Sequence, residues 1–213
     1  MNATRWIPLS GAAAVLLLAA GFGAAGSTPS EDAPVSKLVE FYTTHDTGQT
    51  ASGALLSLGA LLFLIFCAAF VGNLRRTDVD LRVWLALCFG GGVLFVVGLT
   101  IAAGLAVFIG GVAGDLDPSA LQALHEANLL VVYPWSVGAS AFLLGAGAAV
   151  LQSEPLPRWL GWMALVLGVV AAIPNHVLGG ALDHIGVIPV AGLGVWTLVV
   201  SVLLTRRSVP VVA

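Results

Sequence analysis

The sequence predicts an all-α, polytopic transmembrane helix bundle of six crossings with a short amphipathic helix on its outer surface. Three observations predict it. Of 213 residues, 59% are hydrophobic and only 9% are charged, where a soluble domain is about a quarter charged; the mean hydropathy is +1.02. The apolar residues are gathered into separate runs, most of them near the length that crosses a hydrocarbon core of about 30 Å at about 1.5 Å per residue. Polar turns divide those runs, and in lipid each run must pair its own backbone N–H and C=O groups, which a helix does and an open strand does not. A soluble enzyme, a disordered chain and a collagen-like chain are excluded. Nucleic acid is excluded as a partner too, because 8 basic against 11 acidic residues, a net charge of −3, leaves no basic patch.

The whole chain, residues 1–213, reads as a single integral membrane domain. Its crossings are expected at about 7–26, 51–74, 82–111, 128–151, 160–174 and 185–204, the fifth being short. The first, from Ile7 to Gly26, follows Arg5 and ends in Ala24, Ala25 and Gly26, so a cleaved secretory signal is an alternative to a retained helix. We read it as retained, and cleavage leaves the other orientations unchanged. Between the first two crossings, Val35, Leu38, Val39, Phe41 and Tyr42 recur at helical spacing behind Pro34, which predicts a short surface helix capping the bundle. Asp117 followed by Pro118, Leu121 and Leu124 is the start signal of a helix that runs into the fourth crossing. Pro134 and Pro189 fall inside crossings and predict kinks there, whereas Pro174 marks the end of the fifth.

Lys and Arg are held on the cytoplasmic side of short loops. Six crossings from a cytoplasmic N-terminus place Arg5, Arg75, Arg76, Arg82, Arg158, Arg206 and Arg207 inside and only Lys37 outside. Both termini are then cytoplasmic and the expected location is the plasma membrane. Trp6, Trp84, Trp159 and Trp162 fall beside the inner arginines, as interfacial tryptophans do. Small residues four apart, among them Gly110 and Gly114, Ala141 and Gly145, Ala164 and Gly168, and Gly168 and Ala172, predict close helix packing. Cys67 and Cys88 lie inside apolar runs with no metal or redox spacing and read as buried small apolar residues.

The same topology puts all four histidines, His45, His125, His176 and His184, on the outer side, with Glu31, Asp32, Glu40, Asp46, Asp115, Asp117, Glu126 and Asp183. Imidazole and carboxylate are the ligands of a divalent metal, and imidazole titrates near neutral pH. His45 with Asp46, His125 with Glu126 and Asn128, and His176 with Asp183 and His184 form three sub-clusters. The candidate metal ligands are His125, Glu126, His176, Asp183 and His184, a divalent ion being the one cofactor such a set would take. Against it, adjacent residues such as His125 and Glu126 point about 100° apart on a helix, and no HExxH or other fixed ligand motif is present. The alternatives are a pH-sensitive role for the histidines and plain polar loop and cap residues.

The hydrocarbon region offers only Ser57, Thr100, Ser136, Ser140, Thr197 and Ser201, expected to bond their own helix carbonyls, so a carrier with a buried carboxylate is not predicted. Gly138, Ala139 and Ser140, with His176 and Gly179, resemble the serine and histidine motifs of rhomboid proteases. The resemblance fails in that Ala141 follows the serine, the histidine ends the fifth crossing, and the Trp-Arg loop motif is missing. Ser140 is also expected roughly 18 Å below the outer end of its helix. The run Pro155, Leu156, Pro157, Arg158, Trp159, Leu160, Gly161, Trp162, together with Val39, Glu40, Phe41, Tyr42, resembles a family of small six-helix polytopic membrane proteins of actinobacteria, a domain of unknown function. That resemblance implies a bacterial plasma-membrane protein and carries over no catalytic residue.

The expected function is therefore a non-enzymatic accessory or sensor-like membrane component. Its surroundings are the lipid bilayer and a membrane-protein partner or a second copy of itself, met by an outer face bearing His and carboxylates. A small channel or facilitator for a neutral or lipophilic solute is one alternative; a membrane enzyme or metal-binding protein using the outer cluster is another.

Overall fold

A computed structural model describes residues 3–30, 33–75, 80–153, 156–173 and 187–207. Every regular element among them is helical: a 3₁₀ helix over Ala3–Leu9, then α1 (Ser10–Ala25), α2 (Val35–Thr44), α3 (Asp46–Leu74), α4 (Arg82–Val112), α5 (Pro118–Leu130), α6 (Val132–Gln152), α7 (Arg158–Ala171) and α8 (Val187–Arg207). Among the described residues five stretches are long and apolar enough to cross a membrane: Trp6–Ala25, Asp46–Leu74, Arg82–Val112, Pro118–Gln152 and Pro189–Arg206. The sixth apolar helix, α7, has 14 residues and spans about 21 Å.

Six helices form a ring in chain order. α1 packs on α3, α3 on α4, α4 on α6, α6 on α7 and α7 on α8, and α8 closes the ring on α1. Each neighbour runs antiparallel to the last. On α6 and α7, Ser140 meets Gly168 while Gly147 meets Gly161; on α7 and α8, Leu160 meets Trp196 while Leu167 meets Gly192. The tightest seam joins α4 to α6. A Cβ on Gly91 would run into the backbone of Phe142, one on Gly138 into Phe95, and one on Gly145 into Cys88. Glycine is required there because two helix backbones approach with nothing between them. Gly145 and Gly168 thus sit at interfaces as the small-residue spacing predicts, while Gly114 meets only one distant atom, of Thr43.

Aromatic rings plug the centre of the ring. Phe63, Phe66 and Phe70 of α3, Phe95 of α4, Phe142 of α6 and Trp196 of α8 are all buried, with Phe63 centred 5.2 Å from both Phe95 and Phe142. The indole N–H of Trp196 donates to the Leu160 carbonyl at 2.9 Å, so the largest side chain of the core leaves no polar atom unpaired. Cys67 and Cys88 are buried free thiols. Trp6, Trp84, Trp159 and Trp162 are all exposed at one end of the ring, the end where α4 and α7 begin and α3 and α6 finish.

Two boundaries differ from expectation, the starts of α3 and α7. α3 begins at Asp46 rather than near residue 51, and the polar Gln49 of its first turn is accommodated because its buried side chain donates to the Ala25 carbonyl at 3.0 Å, satisfying one of the last carbonyls of α1. As the Asp117–Pro118 start and Pro134 predict, the fourth stretch runs from α5 into α6 with a break at Val131: Pro134 has no N–H for the Leu130 carbonyl, and its ring crowds that carbonyl. α7 starts at Arg158, directly after Pro157, which stands at its N-cap. Among the membrane-region hydroxyls, Thr100 and Ser201 bond carbonyls of their own helices. Ser140 does not; it donates across to the Gly168 carbonyl of α7 at 2.8 Å, stitching the two helices together.

Candidate functional site

At the end of the ring away from the exposed tryptophans, α2 lies across the ends of α3 and α4 and against α5. Its period places Leu38, Phe41 and Tyr42 on one buried face, where they share a second apolar core with Ile109, Ala113 and Leu121. Lys37, Glu40 and Thr43 occupy the exposed face. α5 is fixed by its own start: the Asp117 carboxylate accepts from the Ser119 backbone N–H at 2.9 Å and from its hydroxyl at 2.6 Å, with Pro118 in the first turn. These contacts hold the Asp117 carboxyl below the usual carboxylate range, the Ser119 side chain being the larger cause.

That packing brings together a polar group inside an apolar cap. The Tyr42 hydroxyl lies 3.0 Å from His125 Nδ1, and the two residues are 1% and 0% exposed. Burial pushes the Tyr42 hydroxyl above its ordinary pKa, offset in part by a hydrogen bond from the Asn128 side chain. The Tyr42 hydroxyl and His125 Nδ1 share one hydrogen bond, whose direction follows the imidazole tautomer. His125 Nε2 and Asn128 Oδ1 are both buried and have no hydrogen-bond partner. His125 and Asn128 are three residues apart and share a face of α5.

Glu126 points the other way. It is exposed and accepts from Gln122 at 3.2 Å, so His125 and Glu126 are not brought together. His45 is exposed, stacked on Phe41 at 4.9 Å between ring centroids, with Nδ1 on the Phe41 carbonyl. Among the described residues no group of three His, Cys, Asp or Glu side chains lies close enough to hold a metal. His176, Asp183 and His184 lie outside the described residues. The partner that the sequence reading passed over for His125 is Tyr42; the available signal was a hydroxyl-bearing aromatic and an imidazole, each on the apolar face of a short helix beside the bundle.

A second feature lies in the ring wall. Between α1 and α8 runs an apolar cavity of about 230 Å³, walled by Val15, Leu18 and Phe22 of α1 and by Leu193 and Thr197 of α8, with Phe63 and Phe95 behind. A smaller void of about 50 Å³ adjoins it across Phe95 and Val190, lined by Trp135 and Ser136 of α6. Trp135 stacks on Phe95 with ring planes 7° apart. Its indole Nε1 and the Thr197 hydroxyl are buried without a hydrogen-bond partner. No family model, no curated protein and no solved structure matches this chain.

Proposed function

We propose that the chain is a multi-pass protein of the bacterial plasma membrane, one integral domain with six crossings and both termini cytoplasmic, working as a non-catalytic accessory or sensor-like component. Its outer end, capped by α2, meets a cation or the basic surface of a neighbouring membrane protein. The observation that carries this reading is the buried Tyr42–His125 hydrogen bond. It ties the cap to α5 and so holds Glu40 of α2 and Glu126 of α5, both exposed, in fixed relation. The plugged aromatic interior favours a surface role over an aqueous path.

The sixth crossing rests on two supports. α7 runs antiparallel beside both α6 and α8, and only if it crosses do Arg206 and Arg207 fall on the side of Arg75, Arg82 and Arg158, as the positive-inside rule asks.

Cysteine labelling tests the orientation, and the native thiols are buried, so background is low. A cysteine at Lys37 or Glu126 is expected to react with a membrane-impermeant maleimide in intact cells, and one at Arg75 only after permeabilisation; the reverse pattern overturns the topology. A photo-crosslinking residue at Glu126 is expected to give one discrete adduct in living cells, and a folded protein that gives none removes the contact surface. Metal analysis of the purified protein decides whether the ion is a transition metal: stoichiometric metal lost on His176→Ala with His184→Ala makes the outer cluster the site.

A further inference from the structure

We propose that the seam between α1 and α8 binds a membrane-soluble ring compound carrying carbonyl acceptors, of the quinone class. The inference does not rest on the role of the α2 cap and stands or falls separately.

Three observations lead to it. The first is size and lining. An apolar cavity of about 150 Å³ admits a benzene ring, and this one measures about 230 Å³, room for a substituted ring. Phe22, Phe63 and Phe95 supply aromatic wall, against which a flat ring stacks. The second is access. Ala19 of α1 and Ala191 and Val195 of α8 line the cavity and are exposed, on helices apolar enough to stand in the hydrocarbon. The opening is therefore sideways, toward lipid, and a ligand with a hydrocarbon tail enters without meeting water.

The third is the polar complement. Thr197 is 0% exposed, lines the cavity, and its hydroxyl has no partner, although Thr100, Ser201 and Thr205 all bond carbonyls one turn back. Across Phe95, Trp135 Nε1 is likewise without a partner. Each is a donor, and an unsatisfied buried donor is costly. A plain acyl chain satisfies neither; a carbonyl oxygen on a ring in the cavity offers an acceptor to Thr197, and a second that reaches the adjoining void past Phe95 offers one to Trp135. Only binding is proposed, with no electron transfer.

The test uses the full chain in lipid nanodiscs and a radiolabelled decyl benzoquinone, corrected for uptake by empty discs. The wild type is expected to bind the quinone saturably, with decylbenzene competing at least tenfold more weakly. Thr197→Val keeps shape and removes one donor, while Trp135→Phe removes the other and keeps an aromatic face on Phe95; each is expected to weaken binding about three- to tenfold. Ala19→Trp, which narrows the mouth, is expected to abolish it. Enrichment of an isoprenoid quinone in solvent extracts of the protein purified from its own membrane identifies the membrane pool as the source. Binding of the added probe without such enrichment supports a quinone from outside that pool. Equal competition by decylbenzene, or unchanged affinity in both donor variants, overturns the proposal and leaves the seam a groove for bulk lipid chains.

Discussion

Tyr42 and His125 are worth more together than the distance between them suggests. Tyr42→Phe leaves His125 without a partner on either nitrogen, inside an apolar cap, and is expected to cost about 1–3 kcal/mol in cap stability. Hydrogen exchange of α2 and α5 measures it. Replacing both partners, Tyr42→Phe with His125→Leu, is expected to recover most of that loss, since no buried polar atom of the pair then remains. Because burial favours the protonated hydroxyl of Tyr42, its folded pKa lies above the unfolded value of about 10. Its contribution is whole below that pH and is lost as pH rises through the folded pKa; the tyrosinate absorbance near the loss of α2 protection reads it. Asp117 behaves oppositely. Its lowered pKa stabilises the start of α5 above about pH 3.9, the unfolded value, and that contribution goes as pH falls through the folded pKa, seen first as faster exchange in the first turn.

At the scale of elements, glycine decides where helices touch. Gly90 and Gly91 are neighbours in α4, yet a Cβ on Gly90 meets nothing and one on Gly91 meets the α6 backbone. Gly90→Ala is expected to stabilise by up to about 1 kcal/mol, and Gly91→Ala to destabilise by about 3 kcal/mol or prevent assembly; thermal unfolding in detergent compares them, and equal effects would sink the α4–α6 contact. Helices of this kind are legible in a sequence because apolar length alone specifies them, and α2 because its apolar residues keep a 3.6 period. The Asp117–Pro118 start is legible from local backbone chemistry. What stays hidden depends on a neighbour. Nothing near Gln49 in the chain says that it reaches Ala25, and nothing near Gly138 says that Phe95 stands opposite. For the site, the inward turn of His125 and outward turn of Glu126 follow from helix geometry, but Tyr42 is 83 residues from its partner, a separation that only the packing of α2 on α5 closes.

For the whole molecule, α8 is the element on which integrity turns, because among the described residues it seals the ring from both sides with the thinnest contacts. Trp196 fills its core face and bonds Leu160; Trp196→Ala is expected to cost about 3–5 kcal/mol and to expose α8 to proteolysis before the other helices. An antiparallel ring with six members also closes without a mismatch, since the direction of the last helix suits the first, and the opposed axial dipoles of neighbours compensate one another. The order of closure carries a consequence for biogenesis. Of the six ring helices α1 leaves the ribosome first and α8 last, and these two must pair. With all six helices crossing the bilayer, as proposed, the face of α1 that receives α8 waits, open to lipid, until the rest of the ring has been inserted. A chain halted after α7 is expected to hold α3, α4 and α6 together while α1 remains open to an incoming helix from another copy, which makes separately expressed α8 a natural complement for restoring the closed ring.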